Sequence, residues 1–193
     1  MDDELSCHVR VPRERIAVVI GKDGETKKEI EEATKTKLHV NTEEGIVFAK
    51  ADDALNLFTV QEVIKAIARG FNPRKALILI KTDYAFQLID LQDFAGKQHF
   101  ERIKGRIIGH EGKARENIES LTDTFISVFG KTIAIIGRSE NVDTCRRAIV
   151  NLINGSPHSA VYKWLEKKHS EIKAMEMIQK RFPEDEFGKH ESA

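Results

Sequence analysis

Cysteine is scarce. Cys7 and Cys145 are the only two in 193 residues, and they offer neither a disulfide framework nor the close spacing of a metal site. Long hydrophobic runs are missing as well. Ala76-Leu77-Ile78-Leu79-Ile80 is far below the roughly 18 apolar residues of a membrane-spanning helix. The acidic opening Met1-Asp2-Asp3-Glu4 is unlike a secretory leader, so the cytoplasm is the expected location. Net charge is absent too, with 31 Lys+Arg against 31 Asp+Glu, and without it there is little long-range pull on a polyanion. What remains is a chain of 40% hydrophobic and 32% charged residues, the balance of one large or two small soluble domains.

Charge is uneven along the chain. Residues 1–70 carry 11 basic and 14 acidic residues, 71–155 carry 13 and 10, and 156–193 carry 7 and 7. If RNA is bound, the second half should supply more of the phosphate attraction.

The most informative stretch is Ile107-Ile108-Gly109-His110-Glu111-Gly112-Lys113-Ala114-Arg115. The chain has the same design 88 residues earlier, in Val19-Ile20-Gly21-Lys22-Asp23-Gly24-Glu25-Thr26-Lys27-Lys28. Around each copy the pattern reads strand–helix–turn–helix–strand–strand–helix. Leu5, Cys7, Val9 and Val11 alternate as a strand, and Arg13 to Ile20 is a short helix. From Glu25 to about Lys35 a helix has Ile30 and Ala33 inward. Lys37–Val40 and Ile46–Phe48 form a hairpin, and a helix opening at Asp52-Asp53 carries Leu55, Phe58, Val63, Ile64 and Ile67 at helical spacing. Asn72-Pro73 starts a connecting helix with Ala76, Leu77 and Ile80 on its apolar side. The second copy runs from a strand over Ala85–Phe94, through a helix from about Gln98 to Ile108, to a closing helix over Val142–Ile153.

Residues match between the copies. At an offset of 88, Ile30 meets Ile118, Thr34 meets Thr122, Thr36 meets Thr124, Leu38 meets Ile126 and Val40 meets Val128. At 85, Phe48 meets Ile133, Ile64 meets Ile149, Ile67 meets Leu152 and Gly70 meets Gly155. Internal repetition of this kind constrains the fold more than any local pattern. It sets a first domain at 1–70, a connecting helix at 71–84, a second domain at 85–155, and a C-terminal helix with a tail at 156–193. In that last helix Val161, Trp164, Leu165, Ile172, Met175, Ile178 and Phe182 mark one face. Packing on the second repeat is the favoured reading of this face. The other reading is a docking surface with Trp164 as anchor. Arg181-Phe182-Pro183 ends the helix, and 184–193 is a tail.

A glycine-x-x-glycine turn lets a sugar–phosphate backbone come close, and the helix after it offers its N-terminal N–H groups to phosphate. With a strand as the opposite wall, the groove suits about four unpaired ribonucleotides. Candidate RNA contacts are Ile20, Gly21, Lys22, Asp23, Gly24 and Lys28 in the first copy. In the second they are Arg102, Arg106, Ile108, Gly109, His110, Glu111, Gly112, Lys113 and Arg115. Lys27 and Lys104 also lie close. Asp23 and Glu111 would repel phosphate. A single such turn is more often a plain helix–helix corner; two in the same frame reverse that judgement. Gly105 would allow close approach of RNA or of a neighbouring helix. Enzymatic patterns fail: Gly112-Lys113 lacks the rest of a phosphate loop, and His110-Glu111 lacks the second histidine of a zinc helix. No catalytic residue, cofactor or metal is expected.

Both repeats resemble eukaryotic-type (type I) KH domains, which implies an α+β fold of two three-stranded antiparallel sheets, each packed on three helices, with a C-terminal helix. The second is similar to the second KH domain of the partner-of-Nob (Pno/Dim) family. The matching segments are Gly105–Lys113, Ile118–Thr124, Ile135–Val142, Ala148–Ile153 and Gly155–Tyr162. Lys27 and Arg115 stand where many KH domains carry an apolar residue, as in the ribosome-assembly subgroup. The short chain, rich in Lys, Glu and Ile, is like the archaeal branch. The first turn is intact here, whereas eukaryotic members often have a degenerate first domain. The resemblance implies a small-subunit rRNA assembly and processing factor that holds single-stranded rRNA near the 3′ end. It also implies work beside the Nob endonuclease and, in archaea, a link to the alpha subunit of translation initiation factor two. Two other roles stay open: a protein–protein adaptor, or an RNA-binding subunit of a degradation complex.

Overall fold

The computed structural model describes residues 5–94, 96 and 99–181. Strand β1 (Leu5–Arg10) leads into helix α1 (Arg13–Ile20), the first glycine turn and helix α2 (Glu25–Thr34). A hairpin of β2 (Lys37–Asn41) and β3 (Ile46–Ala51) follows, then helix α3 (Ala54–Ala68) and the short helix α4 (Pro73–Ala76). The second half repeats the order as β4 (Tyr84–Asp90), α5 (Phe100–Ile108), α6 (Lys113–Thr122), β5 (Thr124–Phe129), β6 (Thr132–Arg138) and α7 (Ser139–Ile153). Helix α8 (His158–Arg181) closes the described chain. Each sheet is antiparallel with its last strand in the middle, in the orders β1-β3-β2 and β4-β6-β5. This is the α+β pair of KH folds that the repeats imply.

The helix starts follow from short polar caps. Asp53 accepts from the Asn56 N–H at 3.3 Å, and Asn72 from the Lys75 N–H at 2.8 Å with Pro73 behind it. The paired threonines form the same device twice. Thr34 Oγ1 donates to the Ile30 carbonyl at 2.7 Å and lies 2.8 Å from Thr36 Oγ1; Thr122 repeats this with Ile118 and Thr124 at 2.7 and 2.8 Å. These hydroxyls are buried and need those partners. The chain then leaves α2 and α6 through left-handed residues, Lys35 and Asp123.

Several local expectations are corrected. On α2 the inward residue is Thr34, while Ala33 is exposed, because Thr34 has hydrogen-bond partners in the core. Leu55 and Phe58 are 64% and 60% exposed; the buried stripe of α3 begins only at Val60. The linker is α-helical for one turn and then a 3₁₀ turn over Leu77–Ile80. Its three-residue spacing buries Ala76 and Leu79, not Ile80. Strand β4 ends at Asp90, whose carboxylate accepts from the Gln92 N–H at 2.9 Å and turns Leu91–Asp93 into a 3₁₀ corner. The Gln98 helix start, Phe182, Pro183 and the tail 184–193 lie outside the described residues, as do the side chains of Met175 and Ile178.

One sequence match is shifted by a residue. In the sheets Ile133 sits opposite Ile89 and Val128, and Val47 sits opposite Val9 and Val40. Val47, not Phe48, is therefore the counterpart of Ile133, and both are fully buried. Strand alternation decides this: a slip of one residue exchanges core for solvent. Phe48 faces outward.

The first core joins Ile16, Val19, Ile30, Val47, Val60, Ile64 and Ile67 with linker residues Phe71, Ala76 and Leu79. It also takes in Ala134 and Ile136 of β6, whose other face sends Ile133 and Ile135 into the second core. The outer face of the second sheet thus packs on the first domain. The packing of the second unit does not stop at residue 155, because Val161 and Leu165 of α8 are buried in its core with Trp164 against it. The favoured reading of that helix face fits these residues.

Gly70 and Gly155 hold equivalent places with φ of 99° and 96°. A Cβ on Gly70 would come within 2.6 Å of Ser127 Oγ and 3.2 Å of Phe129 Cβ across the domain boundary, while one on Gly155 would meet nothing within 4 Å. Replacing either by Ala should cost about 1–2 kcal/mol for the backbone conformation. Gly70→Ala should cost about 1–3 kcal/mol more for the contact. Thermal melts of the two variants measure the difference, and equal melting temperatures would show that the interface is looser than described.

Candidate nucleic-acid interface

The two glycines of each turn have different duties. The first ends its helix, with the Gly21 N–H donating to the Ala17 carbonyl at 2.9 Å and the Gly109 N–H to the Gly105 carbonyl at 2.8 Å. A Cβ there would lie 2.2 Å from Thr26 Oγ1 at Gly21, and 2.5 Å from Ala114 Cβ at Gly109. The protein's own next helix excludes a side chain. The second glycines, Gly24 and Gly112, adopt φ of 80° and 81°, a conformation that favours glycine. Their outer side is open. Nothing lies within 4 Å of a Cβ on Gly24, and only the Arg115 guanidinium, at 3.9 Å, approaches one on Gly112.

Helices α2 and α6 start immediately behind these open glycines, with no side-chain cap. The N–H groups nearest each turn are already used: Gly24 and Gly112 donate to the Gly21 and Gly109 carbonyls at 3.4 Å, and Glu25 and Lys113 to those of Lys22 and His110. What each helix turns toward a phosphate is the positive end of its dipole. Between the glycines Asp23 and Glu111 occupy the left-handed region at φ 52° and 53°, and both are exposed. None of the four glycines is buried, so both turns meet the first requirement of a backbone-gripping site.

The edge strands β2 and β5 form the other wall. In each, one outward N–H is taken by a glutamate of the facing helix: Leu38 donates to Glu31 Oε1 at 2.7 Å, and Ile126 to Glu119 Oε1 at 2.6 Å. Lys27 and Arg115 pair with the same glutamates at 3.8 Å. They stand on the helix face that begins at the turn, so each groove wall is a cation–carboxylate pair instead of an apolar patch. The sequence reading missed Glu31 and Glu119. Both sit at the 88-residue offset, and reading that match together with Lys27 and Arg115 would have found them.

The predicted residues separate into groups. Lys22, Lys28 and Arg102 are exposed and can meet phosphate directly. Ile20 and Ile108 are partly buried at the ends of α1 and α5, beside the turns. Lys113 Nζ lies 3.2 Å from Glu111 Oε2, and His110 Nδ1 lies 3.6 Å from it. These groups are largely exposed, so the pairing is weak and a phosphate can compete for the lysine. Lys104 is paired with Glu101 at 2.7 Å, and a Cβ on Gly105 would meet nothing within 4 Å.

Arg106 is used elsewhere. Its Nε and Nη2 donate to the carbonyls of Leu152 and Ser156 at 3.2 and 2.7 Å, and His158 Nε2 lies 2.7 Å from the Arg106 carbonyl. Arg15 does the same for Ile67 and Phe71 at 2.9 and 2.5 Å. Both arginines close the C-terminal end of the last helix of their domain, where carbonyls lack helical partners. The Arg106 guanidinium is thus held by the protein's own carbonyls, and the expected phosphate contact gives way to a structural one. Burial pushes the Cys145 thiol up to about 11, which rules it out as a thiolate nucleophile near neutral pH. Among the described residues no group of three His, Cys, Asp or Glu could hold a metal ion, and no helix is long and apolar enough to cross a membrane.

Both repeats are similar to known proteins. The family model for the second KH domain of PNO1, a eukaryotic-type (type I) KH domain, matches residues 85–170, and a general KH domain model matches 6–69. A KH domain-containing protein of Methanocaldococcus jannaschii is 38% identical over 185 residues, covering 93% of this chain and 82% of its own. The solved a/eIF2alpha–aDim2p–rRNA complex of Pyrococcus horikoshii contains a chain 38% identical to this one. The two superimpose with a TM-score of 0.83 over 88% of this chain and 96% of that one. The chain belongs to the Pno/Dim family. The likeness to the Methanocaldococcus and Pyrococcus proteins runs over nearly the whole length of this chain. The pre-rRNA-processing protein pno1 of Emericella nidulans is 32% identical over 58% of this chain, which spans only 45% of that relative.

Two outcomes follow for this Pno/Dim chain. Arg106→Ala should cost roughly 2–3 kcal/mol and lower the melting temperature by about 5–10 °C, while the folded variant keeps its affinity for RNA; lost affinity at unchanged stability would return Arg106 to the interface. Glu111→Gln should release Lys113, tighten binding of a single-stranded oligonucleotide, and steepen its salt dependence by about 0.7 in log–log slope. Fluorescence anisotropy at several salt concentrations reads both quantities.

Proposed function

We propose that this protein is a non-catalytic RNA-binding factor of small-subunit ribosome assembly and rRNA processing. It holds single-stranded rRNA near the 3′ end of the small-subunit rRNA in its KH grooves. The observation that carries the reading is the outward-open second glycine at the head of a ten-residue helix, built twice. The chain 38% identical to this one in an a/eIF2alpha–aDim2p–rRNA complex supports rRNA as the ligand. It also supports the alpha subunit of translation initiation factor two as a partner. The pre-rRNA-processing name of the fungal relative supports the stage of action. The Nob endonuclease is a further proposed partner, and the cytoplasm the proposed place of work.

The proposed RNA contacts are Ile20, Gly21, Lys22, Asp23, Gly24 and Lys28 in the first groove. In the second they are Arg102, Ile108, Gly109, His110, Glu111, Gly112, Lys113 and Arg115. The second groove is the stronger, since its half of the chain carries the basic surplus. A protein-adaptor role has one observation in its favour, the exposed Leu55 and Phe58 on α3. The grooves do not need that surface.

Lys22→Asp and His110→Asp, singly and together, place a second acid in each turn at exposed positions. With an oligonucleotide copied from the 3′ end of small-subunit rRNA, His110→Asp should weaken binding at least tenfold. Lys22→Asp should do less, and the double variant should bind no better than background. Unchanged affinity in a double variant of normal melting temperature would overturn the site.

A further inference from the structure

The two sheets differ in what their outer faces meet. In the second sheet, the outward rows Phe86–Ile136–Phe125 and Leu88–Ala134–Ser127 turn toward the first domain. Phe86, Phe125, Ala134 and Ile136 pack on its core, and Ser127 Oγ donates to the Arg69 carbonyl at 2.8 Å. The equivalent rows of the first sheet are Ser6–Lys50–Lys37 and His8–Phe48–His39, with Arg10–Ile46–Asn41 beyond them. No described element covers this face.

Its chemistry is also different. Where the covered face has small Ala134, the open face has Phe48, 39% exposed. The rings of His8 and His39 flank it at centroid distances of 6.2 and 6.4 Å, one on each neighbouring strand. The row is a line of three rings across the whole sheet. Lys37, Lys50 and Arg10 stand on either side of it, and no described strand residue on the face is acidic. Carboxylates stand only at its margins: Glu44, in the hairpin turn, accepts from Asn41 Nδ2 at 3.0 Å, and Glu32 and Asp52 line a cavity with Lys37 and Lys50 at the other end.

We propose that the open sheet face of the first domain, centred on His8, Phe48 and His39, is a second surface for single-stranded RNA, outside the glycine turns. Exposed aromatics on a sheet stack two or three unpaired bases, and flanking cations take the phosphates. An apolar helix laid on this face would bury the charges of Arg10 and Lys37. The first groove borders this face along β2, so a strand leaving the groove crosses His39 before it reaches Phe48. At the β1 margin the face meets a cavity of about 300 Å³ between the domains, where Arg10, Lys65 and Arg69 line apolar Phe86 and Leu88. The proposal rests on the RNA-binding reading of the chain and extends it from about four nucleotides per groove to about seven at the first domain.

The test uses the full chain and two oligonucleotides of rRNA 3′-end sequence, about four and about eight nucleotides long. One variant is His8→Ala/His39→Ala/Phe48→Ala; the other, which keeps the rings, is Arg10→Glu/Lys37→Glu. Both should melt like the parent and bind the short oligonucleotide equally well. Both should lose at least about tenfold in affinity for the long one. A photoreactive long oligonucleotide should crosslink to peptides containing residues 5–10 or 46–51. Unchanged long-oligonucleotide affinity in the charge variant, while the double turn variant still loses binding, would overturn this surface and leave the grooves standing. Equal loss for both lengths would also overturn it, since that damage lies in the groove. Loss of binding to the initiation factor subunit with RNA affinity intact would overturn it in favour of protein docking. If the parent chain binds neither oligonucleotide, the groove reading falls and this surface falls with it.

Discussion

Strand β6 is buried on both faces, and the relation between the two domains depends on it. Ile133 and Ile135 fill the second core, while Ala134 and Ile136 enter the first. Each large side chain buried this way contributes about 1.5–3 kcal/mol, a substantial fraction of the margin of a typical domain. The same strand in the first domain, β3, has one buried face and one open face. Duplication therefore produced two equal folds with unequal surfaces. The second domain gives up its outer sheet to hold the pair together, and the first keeps its own available.

The glycine turns show a similar division at smaller scale. Gly21 and Gly109 are required by the next helix, which leaves no room for a Cβ. Gly24 and Gly112 have room on the outside, and their conformation leaves the backbone bare where a ligand can reach it. The pattern glycine-x-x-glycine thus combines a folding constraint at its first glycine with an open outer side at its second. Asp23 and Glu111 fit this picture. A left-handed residue between the glycines is costly for bulky side chains, and short acidic or amide residues tolerate it better than most. For Asp23 that conformational fit offsets some of the electrostatic cost of an acid beside phosphate.

Element order, both sheets, both turns and the paired threonines were legible because each is written twice. The repeat turned weak local signals into a constraint. Its limits came from the same source. An offset counted through the hairpin matched Phe48 with Ile133, and only the register of the sheet restored Val47. Leu55 and Phe58 satisfied helical periodicity, yet α3 projects its first turns beyond the surface that would bury them. Arg106 read as a phosphate contact because it lies three residues before Gly109. Its true partners, the carbonyls of Leu152 and Ser156, lie 46 and 50 residues away, and no local pattern announces a contact of that span. Arg15 makes the matching contact from a different position on its helix, so the repeat alignment could not reveal it either. The sheet-face contrast was hidden for a related reason, since sequence alternation shows that a face points outward but not what lies against it.

A chain without net charge that grips a polyanion must keep its cations from cancelling one another's use. Here many are already committed. Arg15 and Arg106 close helix ends, Lys27 and Arg115 pair with the groove glutamates, and Lys65 and Lys104 pair with glutamates of their own helices. Those left beside the turns, Lys22, Lys28 and Arg102 with the loosely held Lys113, are too few for binding driven by counterion release, whose strength grows with the number of phosphates neutralised. Affinity must then come from contacts that act only at close range: backbone against backbone at Gly24 and Gly112, the positive helix ends toward phosphate oxygens, and flat rings against bases. Duplex RNA pairs its bases and presents a stiff backbone, so it cannot offer unstacked bases to a groove wall or lay them on a sheet. Near-neutrality therefore acts as a filter, in which weak long-range attraction leaves selection to shape and favours the unpaired strand.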